Sequence, residues 1–173
     1  MNKSKKKIDE ILRVNHAGEY GAQIIYKSQI RFSKNNILKK ELKKISSEEK
    51  VHLDYFQEQI LKNRTRPTIM QPFWELGGNA LGLVSSLLGE KYVHACTEAI
   101  ESTIVDHYQE QVKYLKKENV RSDLRKNIMK FCEEENQHKL RSQKKNDNQK
   151  GTFFFKQITK NITKLAIKIS KKL

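Results

Sequence analysis

The chain has 173 residues and a net charge of +15, and 36% of its residues are hydrophobic, 32% charged and 8% aromatic. Because it contains only 7 Gly and 2 Pro, long helices are favoured over strands and turns, and the length suits one domain with its own core. No run of about 18 apolar residues occurs, and the basic N-terminus leads into polar sequence, so neither a membrane-spanning helix nor a secretory signal is expected.

Apolar residues that recur at alternating steps of three and four predict four long helices. Leu38, Leu42 and Ile45 show this spacing in the second helix. The helices are expected over residues 8–32, 36–62, 91–116 and 122–141. They predict an all-α four-helix bundle, which would occupy residues 1–141 as one domain.

Between the second and third predicted helices, residues 63–90 hold both prolines and four of the seven glycines. This segment is longer and more apolar than the usual connection between neighbouring helices. A long crossover at this place is a known bundle topology. Two interpretations stay open, a buried linker and an interfacial element in which Trp74 and residues 81–88 contact lipid or a lipophilic ligand.

Residues 142–152 form a predicted polar linker, and residues 153–173 form a predicted basic amphipathic helix. From Lys139 onward the chain has 11 basic residues and one acidic residue, so this tail carries +10 of the net charge. The additional C-terminal helix is expected on the bundle, at a membrane surface, or at both. The charge favours an anionic partner.

Each predicted bundle helix has a glutamate on its apolar stripe, where leucine or isoleucine is expected. Two of these glutamates are followed three residues later by a histidine on the same face. The six residues are Glu19, Glu49, His52, Glu101, Glu135 and His138. Buried carboxylates repel one another by roughly 4 kcal/mol at about 4 Å and an effective dielectric near 20, so cations are expected among them.

This donor set is the one found in ferritin-like di-iron carboxylate proteins, and it predicts two iron ions in a ferritin-like bundle. One imidazole per metal favours iron over manganese. His16, one turn before Glu19, is expected beside the ligands or in the core, with a role as a ligand as the alternative. Tyr108 is expected either near the metals or as a core tyrosine. His107 is expected either to orient substrate or relay protons, or to lie at the surface.

At these residues the chain resembles the demethoxyubiquinone hydroxylase family of ubiquinone biosynthesis. The matching segments are RVNHAGEYGA at 13–22, EKVH at 49–52, RPT at 66–68, PFW at 72–74 and ACT at 95–97, followed by Glu101, His107, Tyr108, Glu135 and His138. The chain departs from the family pattern at Asn15, where an aspartate is usual, and at Ser102, where a second acid is common. Lys168 stands where some relatives are expected to have an aromatic residue.

The resemblance implies that the six residues bind iron with Glu49 and Glu135 bridging, and that His107 and Tyr108 lie near the site. It implies an O2-dependent monooxygenase that hydroxylates the ring of a polyprenylated demethoxybenzoquinol, peripheral to the cytoplasmic side of a bacterial inner membrane. The absence of a recognisable transit peptide supports that location. The implied partners are the quinol, O2 and a reductant that the sequence does not identify, in a homo-oligomer or a ubiquinone-biosynthesis complex.

Two alternatives come from the residues themselves. One keeps the metals but assigns ferroxidase or peroxidase activity, as in ferritin-like and rubrerythrin-like proteins. The other is a metal-free basic helical protein bound to membrane or nucleic acid, which leaves the stripe glutamates unexplained. Nucleic acid is not expected as a partner of the hydroxylase.

Overall fold

A computed structural model describes residues 3–146 and 151–172. This described part of the chain is all-α, with six helices and no strand. The helices are α1 (Lys3–Phe32), α2 (Asn36–Asn63), α3 (Gln71–Leu88), α4 (Glu90–Lys117), α5 (Ser122–Asn146) and α6 (Thr152–Ser170). The all-α prediction is therefore confirmed.

The four predicted bundle helices correspond to α1, α2, α4 and α5. Local signals explain the bounds of α2, because the Asn35 side chain accepts hydrogen bonds from the amides of Ile37 and Leu38. At the other end, Arg64 takes a left-handed conformation with φ 51°. Its amide donates hydrogen bonds to the Ile60 and Leu61 carbonyls in the last turn of the helix. The predicted range of this helix, residues 36–62, is therefore close to the observed range of α2.

The predicted crossover contains a helix, α3, that the sequence did not predict. Pro72 lies in its first turn, where a missing amide hydrogen costs nothing, and Gly89 ends it with φ 101°. The helix accommodates its internal glycines because two of them, Gly78 and Gly82, pack against α1.

Clustering of contacts divides the chain into two compact units, Met1–Val93 with Leu165–Leu173 and His94–Lys164. In the first unit, α1 contacts both α2 and α3. Its core cluster joins apolar side chains from α1, α2 and the start of α4. These residues are Ala22, Tyr26, Leu38, Leu42, Ile45 and Val93.

Small and polar side chains bring α3 very close to α1. A methyl group added at Gly82 would lie 2.6 Å from Ser28 Cβ and 2.7 Å from the Ile25 carbonyl oxygen. Ser28 Oγ donates to the Asn79 carbonyl at 2.9 Å. Buried Gln29 donates to Ser85 Oγ at 3.0 Å. The polar contacts replace apolar packing on this face of α3.

In the second unit, α5 continues to Asn146, beyond the predicted end at residue 141. The extension is explained by burial, because the Asn146 amide donates to the buried Glu98 carboxylate. Lys156 of α6 pairs with the same carboxylate at 3.1 Å. Residues 147–150 of the predicted linker lie outside the described residues.

The apolar faces of α3 and α6 are exposed. On α3 the exposed side chains include Phe73, Leu76, Val84, Leu87 and Leu88, and on α6 they include Phe153, Phe154, Ile158, Ile162 and Leu165. The buried residues of α6 are polar, among them Thr152, Thr159 and Ser170. No helix in the described ranges combines the length and hydropathy needed to cross a membrane.

Candidate metal centre

The first part of the site lies on α1 and α2. Glu19, Glu49 and His52 are each about 1% exposed. His52 Nδ1 lies 3.3 Å from Glu49 Oε2, one helical turn away, and 3.8 Å from Glu19 Oε2 on the neighbouring helix. The spacing of three residues therefore brings a carboxylate and an imidazole to the same point of α2.

The second Glu-x-x-His motif has nearly the same geometry on α5. His138 Nδ1 lies 3.4 Å from Glu135 Oε2, and both side chains are buried. Glu101 on α4 is fully buried as well. Each carboxylate that the sequence singled out is thus inside the protein rather than on a solvated face.

Four of the six predicted ligands form one group that could hold a metal ion. Glu19, Glu49, His52 and Glu135 each offer one ligand atom, and these atoms all lie within 4.8 Å of one another. Carboxylate oxygens and a neutral imidazole suit a divalent ion such as iron or manganese, so the donor set fits the predicted metal. Glu101 and His138 are buried but do not belong to this group of four, and their coordination stays a prediction.

The concentration of buried carboxylates would give the group an affinity for cations. Transfer of a carboxylate from water into a protein interior costs several kcal/mol, and neighbouring carboxylates raise that cost. A divalent ion removes both contributions because it supplies opposite charge and inner-sphere contacts. The same burial keeps bulk water away from the metal position.

His16 is buried, and its Nε2 lies 2.6 Å from the Gln57 side-chain oxygen. Burial lowers the pKa of His16 below its ordinary value, and the bond to Gln57 only partly offsets this effect. The neutral imidazole is therefore favoured. His16 is not part of the group of four, and its role beside the ligands or in the core stays a prediction.

The two predicted near-site residues of α4 lie in different surroundings. Tyr108 is buried, whereas the side chain of His107 is 11% exposed. His107 Nε2 contacts Gln111 at 2.8 Å, and its Nδ1 lies 3.9 Å from Glu110, whose side chain is exposed. Both of these contacts of His107 are with its own helix, and a role for either residue stays a prediction.

One buried ion pair was not predicted, that of Glu98 with Lys156, and Asn146 donates a hydrogen bond to the same carboxylate. Glu98 precedes Glu101 by three residues and therefore shares its face of α4. A glutamate on an apolar stripe is the same sequence signal that identified Glu101, and it could have identified Glu98. Its lysine partner is distant in sequence and could not be inferred from periodicity.

Comparison with known proteins identifies the family of the chain. The family described as "Ubiquinone biosynthesis protein COQ7" matches residues 6–170. The chain belongs to this family. Among relatives of the COQ7 family, the mitochondrial NADPH-dependent 3-demethoxyubiquinone 3-hydroxylase of Bos taurus is 39% identical over 139 residues, which cover 79% of this chain and 64% of the bovine protein.

A bacterial COQ7-family relative, the 3-demethoxyubiquinol 3-hydroxylase of Rhodospirillum rubrum, is 38% identical over 133 residues, or 76% of this chain and 62% of that protein. The mitochondrial 5-demethoxyubiquinone hydroxylase of Saccharomyces cerevisiae is 37% identical over 110 residues, or 62% of this chain and 47% of the yeast protein. The chain thus aligns with less than two thirds of these relatives' lengths.

Proposed function

We propose that the chain is a di-iron monooxygenase that uses O2 to hydroxylate the ring of a polyprenylated demethoxybenzoquinol in ubiquinone biosynthesis. The observation that carries the proposal is the buried group of Glu19, Glu49, His52 and Glu135 in a member of the COQ7 family. The relatives are named as hydroxylases of this substrate class. A carboxylate-rich metal site gives such a hydroxylation a chemical basis.

The proposed centre has two iron ions and six protein ligands. Glu49 and Glu135 would be shared by the two ions, and Glu19, His52, Glu101 and His138 would supply the remaining protein ligands. The burial of Glu101 and His138 supports their inclusion. We propose that α1, α2, α4 and α5 form the ferritin-like four-helix bundle that holds these side chains.

Bound iron supplies the redox chemistry with O2 that no side chain of the protein can supply. The glutamates and histidines fix the ions by ligation, and the surrounding apolar side chains exclude water from the reaction. Tyr108 and His107 are proposed to act near the site, where Tyr108 would donate a hydrogen bond from within the interior and His107 would orient the quinol or relay protons.

The exposed apolar faces of α3 and α6 support a substrate with a long prenyl tail. Such a quinol resides in a bilayer, and helices that present leucine and phenylalanine outward can rest in the lipid interface. The lysines of α6 add attraction to an anionic leaflet. We therefore propose peripheral attachment to the cytoplasmic side of a bacterial inner membrane.

The proposed function also needs a reductant and a route to its lipophilic substrate. The mammalian relatives are named as NADPH-dependent, so a nicotinamide nucleotide is the first reductant to test. A homo-oligomer or a ubiquinone-biosynthesis complex would place the protein where its lipophilic substrate is made. Nucleic acid is not a proposed partner.

The proposal is tested by the quinone content of cells that lack the protein. We expect such cells to accumulate the demethoxy intermediate and to regain ubiquinone with the wild-type chain but not with Glu135→Gln. The matched control is Glu133→Gln, which removes an exposed carboxylate of the same helix and should rescue fully. A normal quinone pool without the protein would refute the proposal and leave ferroxidase or peroxidase activity to be tested.

A further inference from the structure

A strongly basic pocket of about 610 Å³ lies in the first compact unit, between the N-terminal part of α1 and the end of α6. Two acidic side chains and five basic side chains line it. The basic residues are Lys6, Arg13, Lys168, Lys171 and Lys172. None of them is a predicted metal ligand, and the proposed hydroxylation does not use them.

The two acids of the pocket already have partners. Asp9 Oδ1 accepts a hydrogen bond from the Thr65 hydroxyl at 2.7 Å. Glu10 Oε1 pairs with Lys7 at 2.7 Å. Within the described ranges, none of the four pocket lysines has a carboxylate within 4.0 Å. The pocket therefore keeps an excess of positive charge.

Arg13 fixes part of that charge in place. Its Nε donates to the Arg66 carbonyl at 3.1 Å, and its Nη1 donates to the Lys171 carbonyl at 3.3 Å. Both acceptors are neutral, so the guanidinium is oriented without being neutralised. The contacts also join α1 to the segment after α2 and to the end of α6, which holds the pocket walls together.

Stabilisation of helices does not account for this arrangement. Cations near the end of α6 interact favourably with that helix's dipole, but Lys6 lies near the start of α1, where a cation is unfavourable. The first turn of α1 has no acidic residue to offset it. Several cations around one cavity also repel one another. An anionic ligand would relieve that repulsion.

We propose that this pocket binds a phosphate group. Several lysines together with an oriented arginine suit a multiply charged oxyanion. The pocket volume falls in the range of small-ligand sites, roughly 300–1,000 Å³, so it can take a phosphate with the group that carries it. The phosphate can belong to an anionic phospholipid headgroup or to a soluble phosphate ester.

Neighbouring residues point to the lipid. The Trp74 indole of α3 donates to Ser170 Oγ at 3.1 Å, directly before Lys171. Phe73, beside Trp74, is 62% exposed. An apolar helix end thus adjoins the basic pocket, and this combination suits a headgroup phosphate bound above acyl chains.

The test compares two double variants of the full chain that remove equal charge from the same region. Lys168→Gln/Lys171→Gln alters the pocket, and Lys160→Gln/Lys164→Gln alters α6 outside it. Binding is measured to phosphatidylcholine vesicles with and without phosphatidylglycerol, and to inorganic pyrophosphate and ADP by calorimetry. Circular dichroism melts verify folding, and Lys6→Gln on α1 gives an independent test if the pocket double variant is unfolded.

A lipid source predicts that the pocket variant loses at least about tenfold more affinity for phosphatidylglycerol vesicles than its control. A soluble source predicts that the wild type and the control bind pyrophosphate or ADP and that the pocket variant does not. Equal vesicle binding by the two double variants, together with no pocket-dependent binding of soluble phosphate, would overturn the proposal. These assays need neither iron nor quinol, so their outcome is independent of the proposed hydroxylation.

Discussion

At the scale of single residues, the protein places groups in its interior that would be more stable in water. Glu19, Glu49 and Glu135 are each no more than 1% exposed, and each is close enough to share a cation with the others. Replacement of one by leucine would remove the cost of burying its charge. A metal-binding role therefore explains the composition of the interior better than stability does.

His16 provides a prediction about pH. Burial lowers its pKa below the ordinary value of 6.5, so the unfolded chain takes up the proton at a higher pH than the folded protein does. Stability should therefore fall as the pH decreases through about 6.5 and below, until the folded pKa is reached. We expect His16→Gln to reduce this loss.

The measurement is the urea midpoint of wild type and His16→Gln at pH of about 7 and about 5.5. The difference between the two midpoints should be larger for the wild type. Parallel pH dependence in both proteins would show that His16 is not the responsible group.

At the scale of helices, the contact of α3 with α1 depends on a missing side chain. Gly82→Ala would place a methyl group 2.7 Å from the Ile25 carbonyl oxygen, which is backbone and cannot rotate away. Overpacking of this kind costs about 1–3 kcal/mol. We expect Gly82→Ala to lower the free energy of unfolding by that amount.

Gly77→Ala is the matched control, because an added methyl group at Gly77 meets nothing within 4 Å. Alanine is favoured over glycine in a helix by about 1 kcal/mol, so this variant should be slightly more stable than the wild type. Denaturant unfolding of both variants tests the contact. Equal effects of the two substitutions would contradict it.

Periodicity predicted α1, α2, α4 and α5 because their apolar stripes are regular. It did not predict α3, since Pro72, Gly78 and Gly82 read locally as helix breakers, and only the packing against α1 makes the glycines favourable. The extension of α5 to Asn146 depends on Glu98, a contact distant in sequence. Tertiary contacts thus decide what local pattern does not.

The candidate site was predictable to a similar degree. A glutamate on an apolar stripe is a conflict that sequence alone reveals, and Glu19, Glu49, His52 and Glu135 come together as expected. The surroundings of His107 and the partner of His16 were not predictable, because they depend on how side chains on a helix are oriented. The basic pocket was not predicted either, since its residues come from opposite ends of the chain.

At the scale of the whole molecule, exposed apolar surface and positive charge occur together. Leu76 and Leu87 on α3 are 72% and 73% exposed. The transfer of a leucine side chain from water to an apolar phase has a favourable free energy of about 1.5–3 kcal/mol. If α3 rests on lipid, Leu76→Ser/Leu87→Ser should weaken vesicle binding by at least about tenfold.

Ile37→Ser/Leu61→Ser is the control, because these two side chains are also exposed, 78% and 68%, but lie on α2. Sedimentation with vesicles measures both double variants. Equal losses would show that general hydrophobicity, rather than the α3 face, determines the attachment.

The buried carboxylates are proposed to hold two iron ions. Metal-free protein titrated with Fe(II) without oxygen, and followed by Mössbauer spectroscopy, should bind two ions per chain. Glu48→Gln, which alters a side chain that is 37% exposed, should bind two as well, and Glu49→Gln should lose at least one. No iron in the wild type, or two ions retained by Glu49→Gln, would contradict the proposed centre.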